Sequence, residues 1–242
     1  MSDYPTFRTF GAQAVLLDWP AKIDVEINKK VLSYSNLIKR FFAEEVLDVV
    51  PTYHSIAVYV SKTTEMKEFL LKLKAAVLNF SEEHHHRANI ISIPVCYETP
   101  FGLDIAEVAD KKRLSVPQLI ELHTTPLYKV YFLGFLPGFP YLGGLDTRLH
   151  VNRRSEPRPK IEQGSVGIGG GQTGIYPRES PGGWNIIGKT PIRLFNAAKE
   201  QPTEISAGDF IKFEPITKTE FDLLRIETES GTFQWRKEEY HD

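Results

Sequence analysis

The sequence predicts a small α+β unit over residues 1–93, followed by a closed β-barrel over residues 94–242. Three observations predict it. Two amphipathic helical stripes alternate with short β-rich runs in the first third of the chain. Pro94, Pro100 and Gly102 then break that periodicity, which places a linker between Pro94 and Asp104. Beyond Pro126, short β runs punctuated by glycine and proline follow one another with no long helix between them.

In order, Ala14-Val15-Leu16-Leu17 reads as a strand, and Asp24 as the N-cap of a helix whose apolar stripe is Ile27, Val31, Tyr34, Ile38 and Phe41. Val46 to Thr52 and Ser55 to Val60 are β-rich runs parted by Tyr53-His54, a hairpin. A second helix buries Met66, Phe69, Leu70, Leu73, Val77 and Phe80, and Ala88 to Val95 closes the series as a strand. The order βαββαβ suggests a split-βαβ, ferredoxin-like unit. Two short helices follow the linker, the second opened by a capping box of Ser115 and Gln118. The barrel strands are read at Lys129–Leu133, Ser165–Ile168, Trp184–Ile187, Ile192–Phe195 and Phe210–Pro215, with a short terminal helix from Thr219 to Ile226.

With 242 residues, the chain is long enough for two modest cores, and its 41% hydrophobic and 25% charged residues are ordinary for a globular protein. A formal charge of -2 provides no basic field for nucleic acid or an anionic membrane. A single cysteine, Cys96, excludes an intrachain disulfide and a thiolate metal cluster. The N-terminus lacks the basic head and apolar run of a signal peptide, and no stretch has the apolar length of a membrane span, so the cytoplasm is expected.

Several motifs mislead. Gly183 to Thr190 matches the P-loop pattern, but its variable positions favour a strand, Pro191 follows at once, and no amphipathic helix comes after. Gly169 to Gly174 matches a dinucleotide-binding glycine pattern, but Pro177 and Pro181 forbid the helix it needs; its glycines instead permit close approach of a backbone or a ligand. His84-His85-His86 point in different directions on a helix and read as a solvated helix end, not a metal site. Cys96, within an apolar run, reads as a small core residue.

The informative stretch runs from His123 to Pro191. Its glycines and prolines fix unusual turns, and each loop carries polar or aromatic groups able to face a pocket. Tyr141, Gln172, Thr173, Tyr176 and Trp184 offer hydrogen bonds and flat surfaces, Gly170 and Gly171 offer bare backbone, and Arg153, Arg154 and Arg158 suit a carboxylate or phosphate.

The blocks GFLPGFPYLGGLD (134–146), GSVGIGGGQTGIYP (164–177) and SPGGWNIIGKTP (180–191) resemble, in order and spacing, those of the KipI-like or allophanate-hydrolase-subunit-1 family, which includes the B subunits of bacterial 5-oxoprolinases. The resemblance extends to Pro94–Tyr97, Glu121–Thr124 and Val49–Tyr53, and so covers nearly the whole chain. One departure is Lys189, where the family often carries arginine.

The resemblance implies an α+β N-terminal domain followed by a cyclophilin-like β-barrel, similar to one half of the carboxyltransferase region of urea amidolyase. It also implies a partnership with a KipA-like C subunit, of the allophanate-hydrolase-subunit-2 type, and a LamB/YcsF-like A subunit. Together these would open 5-oxoproline to L-glutamate with ATP, with contact between ATP and this chain left open. Gln172 and Thr173 would then donate to an oxyanion, the arginines supply charge, and His123 transfer a proton; His123 reads equally well as a histidine capping a helix end. No metal-ligand set is visible. Two other readings stand beside it: an inhibitor that binds a sensor histidine kinase, as some KipI relatives do, and a peptidyl-prolyl isomerase, which rests on fold analogy alone.

Overall fold

The computed structural model describes residues 4–80 and 88–241 and divides the chain into two compact units, Met1–His86 and Arg87–Asp242. The triple histidine at 84–86 lies outside the described residues.

The first unit contains β1 (Thr6–Thr9), β2 (Ala14–Asp18), α1 (Val25–Phe41), β3 (Val46–Pro51), β4 (Ser55–Val60) and α2 (Met66–Leu78). The Asp24 carboxylate caps α1 by accepting from the amides of Glu26 and Ile27. α1 buries Val31, Ser35 and Ile38, and that series continues to Phe42; Phe41, expected on the stripe, is 65% exposed. The 3.6-residue period selects 42 over 41 once the buried face is centred on 31, 35 and 38. The four strands form an antiparallel sheet in the order β1-β2-β4-β3, and β3 and β4 make the expected hairpin.

The ferredoxin-like assignment does not hold as drawn. Such a unit places its last strand beside its first. Here β1, which the sequence pattern does not reveal, takes that edge by pairing with β2. The expected closing strand is β5 (Asn89–Cys96), which belongs to the second unit. It pairs in parallel with a distant strand, β13 (Phe210–Ile216), across seven residue pairs from Phe210↔Ile90 to Ile216↔Cys96. The alternating Ile91, Ile93 and Val95 of β5 form one face and are fully buried in the barrel core, while Ile90 and Ser92 on the other face are half-buried. The boundary at 93/94 therefore runs through this strand, and the linker placed at Pro94–Asp104 lies inside the second unit.

After β5 come α3 (Ile105–Lys112), α4 (Val116–Thr124), β6 (Tyr128–Leu133), β7 (Pro140–Gly143), β8 (Arg158–Ile161), β9 (Ser165–Gly169), β10 (Gln172–Ile175), β11 (Ser180–Gly182) and β12 (Asn185–Lys189). β13, α5 (Lys218–Ser230) and β14 (Lys237–Glu239) complete the chain. Seven strands close a barrel in the order β12-β9-β10-β7-β6-β13-β5, sealed by the pairing of Lys189 with Cys96. β14 is added along the start of β5, and β8 and β11 form a separate two-stranded ladder. Ser115 and Gln118 form the expected capping box of α4.

The P-loop look-alike is strand β12, and the glycine motif is the tight β9–β10 hairpin with Gly170 at φ +67°. Ile192–Phe195 is not a strand: Ile192 and Leu194 are buried, but the segment pairs with no neighbour among the described residues. α5 is longer than expected, and β14, exposed throughout, has no apolar pattern to reveal it. No helix among the described residues is long and apolar enough to cross a membrane.

Candidate functional site

Strand alternation sorts the candidate residues onto two sides of the barrel wall. On β9, Val166 and Ile168 join the barrel core, while Gly167 and Gly169 face outward. On β10, Thr173 and Ile175 point inward, so Gln172 and Gly174 lie on the outer side.

Inside, His123 of α4 is fully buried and stacks on Phe213, with ring centroids 4.6 Å apart. Its two nitrogens meet the Tyr97 hydroxyl (2.8 Å) and the Thr173 hydroxyl (2.9 Å). The Thr173 hydroxyl donates to the Gly167 carbonyl at 3.0 Å. Its single proton is thereby used, so it accepts from His123 Nε2–H, and Nδ1 accepts from Tyr97. Every polar side-chain atom in this hydrogen-bonded series is satisfied with a neutral imidazole. Burial lowers the His123 pKa from its ordinary 6.5 to about 3, and burial likewise raises Tyr97 well above the ordinary phenol range. Proton transfer by His123, expected from sequence, meets a ring that is dry, fully bonded and neutral at physiological pH. An oxyanion role for Thr173 meets a hydroxyl sealed in the same core. Both residues organise the interior. The helix-capping alternative for His123 also gives way to this internal role.

Outside, a second apolar cluster covers the wall: Phe139, Ile161, Tyr176, Trp184 and Ile186, flanked by Leu136 and Tyr141. Phe139 meets both Trp184 and Tyr176 edge-on at 5.6 Å. Phe132 stacks on Tyr141 at 4.3 Å. The rings lie directly on bare backbone: a Cβ on Gly169 would stand 2.6 Å from the Trp184 indole, and one on Gly174 would meet Phe139 and Trp184 at 3.0 and 3.1 Å. Glycine is required here for close approach.

Arg153, exposed, sets its guanidinium 5.9 Å from the centre of the Trp184 ring. Burial raises the Tyr141 and Tyr176 phenols above their ordinary value, and the Arg153 charge opposes this in both, joined at Tyr176 by Arg158. At the rim of the cluster Phe135 is 70% exposed with φ +62°, and its ring stands edge-on to Phe139. A bulky side chain in the left-handed region marks a position held by its surroundings.

Thus Tyr141, Arg153, Gln172, Tyr176 and Trp184 share the outer side of the barrel, but Tyr176 and Trp184, expected to face a pocket, are buried in the cluster, and of the five only Arg153 is exposed. Gly170 and Gly171 form the adjoining hairpin turn. Gly170 exchanges backbone hydrogen bonds with Val151, and Gly171 lies against the His150 ring. Arg154 and Arg158, expected to hold a ligand's acid group, instead grip Asp104, which is 2% exposed. Lys189 is paired with Glu162. Sequence reasoning missed Phe139 and Asp104. Phe139 sits in one of the three blocks and was legible as an aromatic between turns, whereas Asp104 is about fifty positions from its arginines and carries no local signal.

On the outer side of the seven-stranded barrel, a buried, glycine-floored aromatic cluster thus carries exposed Arg153 at its edge; it holds no nucleophile–base pair among the described residues. The chain belongs to the family of carboxyltransferase domains, subdomains C and D, whose model matches residues 5–205. It is 34% identical to the B subunit of 5-oxoprolinase from Bacillus subtilis over 229 residues, covering 90% of this chain and 95% of that protein. It is 37% identical to the B subunit of 5-oxoprolinase from Escherichia coli O157:H7 over 205 residues, covering 85% and 93%. Its fold matches the crystal structure of Kluyveromyces lactis urea carboxylase with a TM-score of 0.79 at 19% identity, covering 98% of this chain and 24% of that one.

Proposed function

We propose that this chain is the B-type component of an ATP-dependent 5-oxoprolinase that opens 5-oxoproline to L-glutamate, assembled with a KipA-like C subunit and a LamB/YcsF-like A subunit. The observation that carries this reading is the division at the barrel wall: exposed Arg153 and half-buried Tyr141 and Gln172 lie on its outer side, while His123, the titratable side chain expected to do chemistry, is sealed inside. A surface of that kind binds and orients, and needs groups from another polypeptide to react. Near-complete coverage of proteins named as 5-oxoprolinase B subunits supports the same reading.

The reaction makes matching demands. A five-membered lactam resists hydrolysis. Transfer of the terminal phosphoryl group of ATP to the lactam oxygen makes the ring carbon electrophilic. Water then attacks that carbon, the C–N bond breaks and nitrogen takes a proton, giving γ-glutamyl phosphate, which a second water hydrolyses to glutamate and phosphate. In this scheme Arg153 holds the substrate carboxylate, the Tyr141 hydroxyl and Gln172 donate hydrogen bonds, and the aromatic cluster excludes water. Phe135 is the apolar contact offered to the closing partner.

The test is reconstitution. The chain is combined with A- and C-type subunits from the same genome, and glutamate release from 5-oxoproline and ATP is measured. The complete mixture should turn over, and omission of this chain should stop it. Full activity without this chain, or an inactive mixture of folded and associated subunits, would overturn the proposal.

A further inference from the structure

We infer that Asp104 is a positioning residue: one buried carboxylate sets Arg153 and Trp184 in register with each other. Asp104 immediately precedes α3, yet its side chain does not cap that helix. It turns instead toward two other segments. Arg158 donates to it twice (2.8 and 2.6 Å), and Arg154 donates once at 3.0 Å. The amide of Ile186 donates to the carboxylate at 2.6 Å, and the Asp104 amide donates back to the Ile186 carbonyl at 2.7 Å.

Arg154 is the neighbour of Arg153, and Ile186 stands two residues beyond Trp184. The two halves of the cation–indole pair therefore hang from the same carboxylate. A second tie, from the Arg154 amide to the Gly183 carbonyl at 2.7 Å, runs in the same direction. A bidentate guanidinium fixes orientation as well as distance, which a single point charge does not. The exposed loop carrying Arg153 is thus held by a buried anchor rather than by its own packing. The effect on turnover rests on the function proposed above; the effect on the indole does not.

The full chain labelled with fluorotryptophan gives one fluorine resonance for each of its three tryptophans, and Trp184→Phe identifies the relevant one. In the wild type, Arg153→Ala moves the Trp184 resonance. Asp104→Asn is expected to move it as well, to leave Trp19 and Trp235 in place, and to abolish the further response to Arg153→Ala. A folded Asp104→Asn chain whose Trp184 still responds in full to Arg153→Ala would overturn the inference. Should Asp104→Asn fail to fold, Arg154→Gln removes one arm only, and the response to Arg153→Ala should shrink; an undiminished response overturns the inference equally. In the reconstituted complex at 5-oxoproline well below its KM, Asp104→Asn and Arg153→Ala should each lower the rate roughly 10-fold, with the double variant no worse than either alone. Spectral coupling with an unchanged rate would leave the positioning role standing and remove the cluster from the reaction.

Discussion

His123 makes the barrel acid-labile in a way that can be calculated. The folded protein holds the imidazole neutral, with its pKa lowered by burial from 6.5 to about 3. The unfolded chain binds a proton below pH 6.5, and the folded one does not until about pH 3. Between those values the unfolded state carries the extra proton, so stability falls as pH falls. The slope from this residue is about 1.4 kcal/mol per pH unit. About two units below its ordinary pKa, near pH 4.5, His123 alone costs about 3 kcal/mol. For a unit of this size that lowers the melting midpoint by about 6–12 °C.

The control is His123→Gln, whose amide can accept from Tyr97 and donate to Thr173 but cannot titrate. Melting followed by circular dichroism at about pH 7 and about pH 4.5 should show the larger drop in the wild type. Carboxylates that titrate in the same range contribute to both chains and cancel in the difference. Equal drops, or a His123 resonance titrating near pH 6.5 in the folded protein, would refute the argument and return the residue to the candidates for proton transfer.

Other perturbations test the outer wall. Gly169→Ala drives a methyl group into the Trp184 indole and should cost about 1–3 kcal/mol by overpacking, read as a lower melting midpoint together with a shifted Trp184 resonance. Phe135→Gly relieves a left-handed backbone worth about 1 kcal/mol and introduces a chain-entropy cost of about 0.5–1 kcal/mol, leaving the melting midpoint nearly unchanged. The same variant should weaken association with the C-type partner roughly 10-fold by titration calorimetry. Arg153→Ala should raise the KM for 5-oxoproline at least about 10-fold while the complex still co-purifies, because a charge-assisted contact to a carboxylate is lost and no buried group is left unpaired.

The architecture was largely legible because its signals are local. The helix stripe at Val31 and Ile38, the hairpin at Tyr53-His54, the Ser115–Gln118 box and the rejection of a P-loop at Gly183–Thr190 all follow from neighbours along the chain. Two misreadings concern strands. β5 has the composition of a strand, but composition does not name a partner, and its partner lies about 120 residues away. Ile192–Phe195 has the alternation of a strand but no strand beside it among the described residues.

The candidate site divides along the same line. By itself the sequence determined which residue types stand between His123 and Pro191, and that glycines there serve tight turns or close approach. Only the tertiary structure decided which side of the barrel wall each side chain faces. A shift of one residue in register exchanges inside for outside, and that register is set by pairing across the whole barrel. Hence Thr173 and His123 went to the dry interior, Tyr141 and Trp184 to the outer cluster, and Arg154 and Arg158 to a carboxylate that no local pattern connects to them.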